Sequence, residues 1–137
     1  MTDLRFHRVG VESEELLVSI DEVFSALESD RGGSALIDQL AARDLTAFCQ
    51  DLSAVGGLWA CFSDEAIVAW ALVQDRIILA LYVMPARRRQ GIAKSFVAHL
   101  LESDFPPVDA YALPGDREMK SLYESIGWKA RLLTMRG

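Results

Sequence analysis

Three consecutive arginines, Arg87, Arg88 and Arg89, stand immediately before Gln90-Gly91-Ile92-Ala93 and a run of helical apolar spacing. The first N–H groups of a helix have no partners inside it and form the positive end of its dipole. Gly91 and Ala93 lack bulk, so an anion can approach that backbone closely. Arginines beside it add long-range attraction and the option of two-pronged contacts to phosphate oxygens. The chemistry offered is anion binding. It is not a nucleotide P-loop, because no GxxxxGK[ST] run exists, and the GxGxxG dinucleotide fingerprint is absent too.

The other reactive residue types are scattered. Cys49 and Cys61 are the only cysteines and have no ligand cluster around them, so they read as reduced, buried thiols with no metal site. His7 and His99 are isolated and read as structural or exposed. Asp64, Glu65 and Asp75 fall at turns and read as solvated. Trp59 and Trp70 lie in apolar runs and read as core, with a second use as a cation-attracting floor.

The elements that must position these residues follow from periodicity. Leu4 to Val9 alternates as a strand. Ser13 precedes a helix carrying Leu16, Leu17, Ile20, Val23, Phe24 and Leu27 inward, and Ser34 precedes a second with Ile37, Leu40, Ala41 and Phe48. After Gly56-Gly57 the period changes. Residues 58–62, 66–74 and 76–83 are continuous apolar runs suited to strands buried on both faces. Pro85 ends the third. A helix over residues 90–102 buries Ile92, Phe96, Val97 and Leu100, and Phe105-Pro106-Pro107 stops it. Residues 108–113 make a short strand. A helix with Met119, Leu122, Tyr123 and Ile126 on one side follows Asp116 and is capped by a left-handed Gly127. Residues 128–135 make a last strand. The order β-α-α-β-β-β-α-β-α-β implies a mixed sheet with helices on both faces, in a single domain over residues 1–137.

Composition narrows the partners. The net charge of −6 argues against nucleic acid as the main partner. Residues 1–56 hold eleven acids against four bases, while residues 57–137 hold nine acids against ten bases. This fits solvated acidic helices or, functionally, a cation-attracting half joined to an anion-binding half. The longest apolar runs have eight residues, too short to span a bilayer, and the N-terminus has no signal pattern. These features lead us to expect a cytoplasmic protein with no membrane partner.

Two motifs, in order and correctly separated, resemble the GCN5-related N-acetyltransferase family. One is Val83-Met84-Pro85 followed by Arg88-Arg89-Gln90-Gly91-Ile92-Ala93, similar to the family's [QR]-x-x-G-x-[GA] coenzyme A motif after a strand ending V-x-P. The other is Leu122-Tyr123-Glu124-Ser125-Ile126-Gly127-Trp128, similar to L-Y-x-x-x-G-[FW]. With the three-strand run before them, the resemblance covers residues 56–128.

The resemblance implies a mostly antiparallel sheet, splayed where acetyl-CoA enters as co-substrate. The turn at Arg88, Arg89, Gln90, Gly91, Ile92 and Ala93 would cradle its pyrophosphate. The backbone of Leu81, Tyr82 and Val83 would pair with its pantetheine arm, and the Val83 amide would polarise the acetyl carbonyl. Tyr123 matches the tyrosine placed as general acid at the coenzyme sulfur. Asp116 stands where relatives carry an Asn near the cofactor. The implied reaction moves an acetyl group to a primary amine on a small molecule or peptide. Because the first helices of the family border the acceptor cleft, and these carry the acidic excess, the acceptor is expected to be cationic. No general base is evident on the 77–83 strand. One strand rather than two after Trp128 suggests an acceptor side that is open or completed by a second subunit, as in a homodimer. The alternative is a regulatory module that binds acetyl-CoA and acts on a protein partner without turnover.

Overall fold

The computed structural model describes residues 3–28, 45–111 and 117–128. The elements are β1 (Leu4–Arg8), α1 (Glu14–Glu28), α2 (Leu45–Ala54), β2 (Leu58–Ser63), β3 (Ala66–Gln74), β4 (Ile77–Val83), a 3-10 turn (Pro85–Arg87), α3 (Ile92–Leu101), β5 (Asp109–Ala110) and α4 (Arg117–Ser125). The expected helix start at Ser34, with Ile37, Leu40 and Ala41, lies outside the described residues, as does the strand expected after Trp128.

The sheet runs in the order β1-β2-β3-β4-β5. The first four strands are antiparallel neighbours, and β5 is parallel to β4. Two-residue turns join β2 to β3 and β3 to β4. In the second, Asp75 and Arg76 both take positive φ, which matches the twist of the strands it joins. The continuous apolar runs become strands covered on both faces. On one face, Leu16, Ile20 and Phe24 of α1 and Phe48, Cys49 and Leu52 of α2 pack on Leu58, Ala60, Trp70, Leu72 and Leu79. On the other, Ile92, Phe96, Val97 and Leu100 of α3, with Met119 and Tyr123 of α4, pack on Trp59, Cys61, Ala69, Ala71, Ile78 and Leu81. Helices on both faces of a mixed, mostly antiparallel sheet are what the periodicity implied.

The structure corrects two expectations. Among the described residues, β5 pairs only through Ile77↔Asp109 and Ile78↔Ala110, so Val108 and Tyr111 of the strand expected over 108–113 stand outside it, and residues 112 and 113 lie outside the described residues. Beside this contact β4 is irregular. Val73 faces Ile78 while Leu72 faces Ala80, leaving Leu79 as an extra, bulged residue. Ile126 is also exposed rather than on the buried stripe, because α4 ends at Ser125 and Ile126 begins the turn.

The thiols of Cys49 and Cys61 are buried and unpaired with each other. Desolvation pushes both pKa values up, to about 11. At Cys61, nearby Arg87 opposes that rise only in part. Both stay protonated near neutral pH, which fits inert core groups.

Candidate functional site

The bulge at Leu79 decides which way the end of β4 presents its peptide groups. The Met84 N–H donates to the Val68 carbonyl at 2.9 Å. By antiparallel alternation the peptide groups of Tyr82 and Ala80 face β3 too, since Tyr82 pairs with Trp70 and Ala80 with Leu72. The peptide groups of Leu81 and Val83 therefore face the other way, where no strand among the described residues pairs with them. They form a short open edge able to accept an extended ligand as an added strand. This corrects one expectation: the backbone of Tyr82 belongs to the sheet, and only its side chain is available to a site.

The chain then enters the Pro85–Arg87 turn, closed by the Arg87 N–H donating to the Met84 carbonyl at 2.8 Å. The three arginines part company here. Arg87 turns inward and donates to Ser63 Oγ at 3.2 Å and to Gln90 Oε1 at 3.3 Å. Ser63 is buried, so Arg87 ties the turn to the end of β2. Arg88 folds back and donates from Nε to the Val83 carbonyl at 3.0 Å, with its guanidinium 5.1 Å from the Tyr82 ring centroid. Arg89 takes a left-handed φ of 63° and is exposed.

Gly91 is the N-cap of α3, at φ 78° and ψ 11°, with no side chain to cap the helix. A Cβ built there meets nothing within 4 Å, so the space over the first turn is open. No acid occupies the first turn, and Lys94 stands there exposed. A lysine at this end opposes the dipole. The amides around Ile92 and Ala93 are thus uncapped, accessible and flanked by cations. Such a donor set suits a phosphate.

Tyr123 is buried at 6% exposure, on the same face as Leu81, Val83, Ile92 and Ala93. Its position is fixed from the helix end. The Trp128 N–H donates to the Tyr123 carbonyl and the Gly127 N–H to the Glu124 carbonyl, both at 3.0 Å, a Schellman closure. Gly127 takes φ 94°, which glycine adopts without strain. The Trp128 ring stacks on Tyr123 at 5.5 Å. The structure therefore brings Leu81, Val83, Ile92, Ala93 and Tyr123 to one side of the sheet and sends the Tyr82 side chain to the other. Asp116 lies outside the described residues.

Trp59 and Trp70 are both buried in the core. Trp70 is fully buried and donates to Ser19 Oγ at 2.9 Å, while the Arg8 guanidinium covers Trp59 at 4.7 Å. His99 stacks on Phe6 at 5.1 Å, a packing role. Asp64, Glu65 and Asp75 are exposed turn residues. A cavity of about 500 Å³ opens between α2, the β3–β4 turn and the end of α3, lined by residues including Leu52, Trp59, Leu100 and Phe105. None of the residues singled out above for anion or acyl chemistry lines it. Among the described residues, no group of three His, Cys, Asp or Glu side chains could hold a metal ion, and no helix is long and apolar enough to cross a membrane. Sequence reasoning missed Ser63 and the Arg88–Tyr82 pair. Both join residues through tertiary structure and leave no local pattern.

No family model and no curated protein matches the sequence. Solved structures do match the fold. The aminoglycoside N-acetyltransferase AAC(6')-Iy in complex with CoA is 12% identical, with a TM-score of 0.64 over 100% of this chain and 96% of that one. A GCN5-related N-acetyltransferase from Ralstonia eutropha JMP134 is 18% identical, with a TM-score of 0.63 over 100% and 98%. PaiA N-acetyltransferase from Thermoplasma acidophilum in complex with coenzyme A is 14% identical, with a TM-score of 0.62 over 94% and 91%. The chain thus has the fold of the GCN5-related N-acetyltransferases and spans nearly their full length.

Proposed function

We propose that the chain is an N-acetyltransferase that moves an acetyl group from acetyl-CoA to a primary amine. The observation that carries this reading is one juxtaposition: an uncapped α3 with Gly91 at its start, beside the open β4 edge at Leu81 and Val83. Solved structures of this fold hold CoA, which supports the same reading. The backbone of Arg89, Gln90, Gly91, Ile92 and Ala93 receives the pyrophosphate, and Leu81 and Val83 pair with the pantetheine arm.

The reaction needs a neutral amine, and alkyl amines have pKa near ~10.4, so the acceptor must first lose a proton to water or a relay. Its nitrogen then attacks the thioester carbon. The carbonyl oxygen gathers charge against the Val83 N–H, which the open edge leaves directed outward. The C–S bond breaks, and the Tyr123 hydroxyl protonates the leaving thiolate. The attacking nitrogen loses a proton as it becomes the neutral amide, and that proton returns to the phenolate directly or through solvent. Tyr123 lies on the face of Val83 and Ala93, which supports that role.

The acidic residues of α1, exposed at Glu14 and Glu15, support a cationic acceptor. In this reading a second copy of the chain completes the acceptor side. The test is release of free thiol from acetyl-CoA across a panel of amines, with mass detection of the acetylated product. Tight acetyl-CoA binding without turnover on any amine would return the chain to the regulatory reading.

A further inference from the structure

The placement of Arg88 points past cofactor binding to the acceptor. Its Nε–H holds the Val83 carbonyl at 3.0 Å, a peptide on the open edge that an incoming extended ligand would use. The same guanidinium lies 5.1 Å from the centroid of the Tyr82 ring, within the range of a cation on an aromatic face. That ring is firmly seated. It packs 5.5 Å from Trp70, which is fully buried and anchored by its N–H to Ser19 Oγ at 2.9 Å. Tyr82 itself is half-buried. Trp70 is closed and Trp59 is already covered by Arg8, so of these three rings Tyr82 is the partly open one. The chain thus carries an aromatic cation site whose occupant is one of its own side chains.

We infer that the Tyr82 face binds a cationic group of the acceptor, and that Arg88 fills it until the coenzyme arrives. The inference rests on the acetyl-CoA reading above. When pantetheine pairs at Val83 it replaces the Arg88 hydrogen bond. The guanidinium then has a stronger partner three residues along the chain, in phosphate at the Gly91 helix start. Its departure uncovers Tyr82 beside the Val83 peptide. The nitrogen to be acetylated must be neutral when it attacks, so the cation on Tyr82 is a different nitrogen. The acceptor class is therefore an amine with at least two basic nitrogens, one reacting and one held as ammonium or guanidinium. The acceptor cation and the coenzyme then bind with positive coupling, because the first ligand clears the site for the second.

Nuclear magnetic resonance on the full chain tests this, with coenzyme A and tetramethylammonium, a cation that cannot be acetylated. Coenzyme A should shift the Gly91 and Ile92 amides and move the Arg88 Nε–H resonance away from its ring-shifted position. Tetramethylammonium should then perturb the Tyr82 ring with about tenfold higher affinity than in the free protein, the scale of a good cation–aromatic contact. Arg88→Met should give the higher affinity without coenzyme A, and Tyr82→Leu should abolish the added response. Shifted Gly91 and Ile92 amides with an unmoved Arg88, and equal tetramethylammonium affinity in both states, would overturn the inference while leaving the coenzyme site intact. Unmoved Gly91 and Ile92 amides would instead overturn the acetyl-CoA reading. In that case a tenfold gain in Arg88→Met alone still supports the Tyr82 site, and no gain removes it.

Discussion

The starts of α1 and α3 solve the same physical problem in opposite ways. Each helix begins with N–H groups that lack partners and with the positive end of a dipole. α1 meets this from its own sequence. Ser13 Oγ accepts the Leu16 N–H at 3.2 Å, and Glu14 and Glu15 supply negative charge in the first turn. α3 supplies neither. Its N-cap is Gly91, its first turn carries no acid, and Arg88, Arg89 and Lys94 gather around it. A self-sufficient helix start supports structure alone. A start left uncapped, with like charge added, suits an anion, and the neighbouring β4 edge supports the proposal above that this anion carries an extended tail.

Four changes would break or sharpen that contrast. The largest effect belongs to Tyr123→Phe, which should lower kcat by about 10²-fold or more while the acetyl-CoA affinity barely moves. The Trp128 stacking survives the change, so a fully active variant would make Tyr123 a packing residue. Next is Ser63→Ala, which leaves the half-buried Arg87 without its anchor. A lost bond to a charged group predicts about 1.5–3 kcal/mol of destabilisation in urea, with weaker coenzyme binding as the turn loosens. Ser13→Ala should cost about 1 kcal/mol in the same assay and leave coenzyme affinity unchanged, because α1 uses its cap only for itself. The smallest effect is electrostatic. For a cationic acceptor, kcat/KM should fall as salt rises, since charges are screened over roughly 8–10 Å at moderate ionic strength. Reversing Glu12, Glu14 and Glu15 should blunt that slope. It should also weaken α1, because Glu14 and Glu15 sit at its positive end. A salt-independent rate, or a preferred acidic acceptor, would end the steering argument.

Much of this contrast was legible in the sequence. The three long strands, the helix beginning after Gln90-Gly91 and the burial of Ile92, Phe96, Val97 and Leu100 follow from apolar period and from glycine and proline punctuation. The bulge at Leu79 was not legible, because Ile77 to Val83 reads as one unbroken apolar run whichever residue is extra. The register that turns the Leu81 and Val83 peptides away from β3 depends on that bulge. Nor did the sequence distinguish the three arginines. Adjacent identical residues took three directions because the 3-10 turn and the positive φ of Arg89 rotate each differently. Ser63 was missed because its partner Arg87 lies 24 residues away.

The central claim is that the start of α3 is the phosphate site of acetyl-CoA. Calorimetric titration with acetyl-CoA across wild type, Gly91→Ala and Gly91→Glu tests it most directly. Gly91 sits at φ 78°, so any side chain there carries a left-handed strain of about 1–2 kcal/mol, and the alanine variant measures that cost alone. The glutamate variant adds a negative charge and bulk in the open space over the first turn. The account predicts binding in wild type, modestly weakened binding in Gly91→Ala and none in Gly91→Glu. Equal affinity in Gly91→Ala and Gly91→Glu would contradict it.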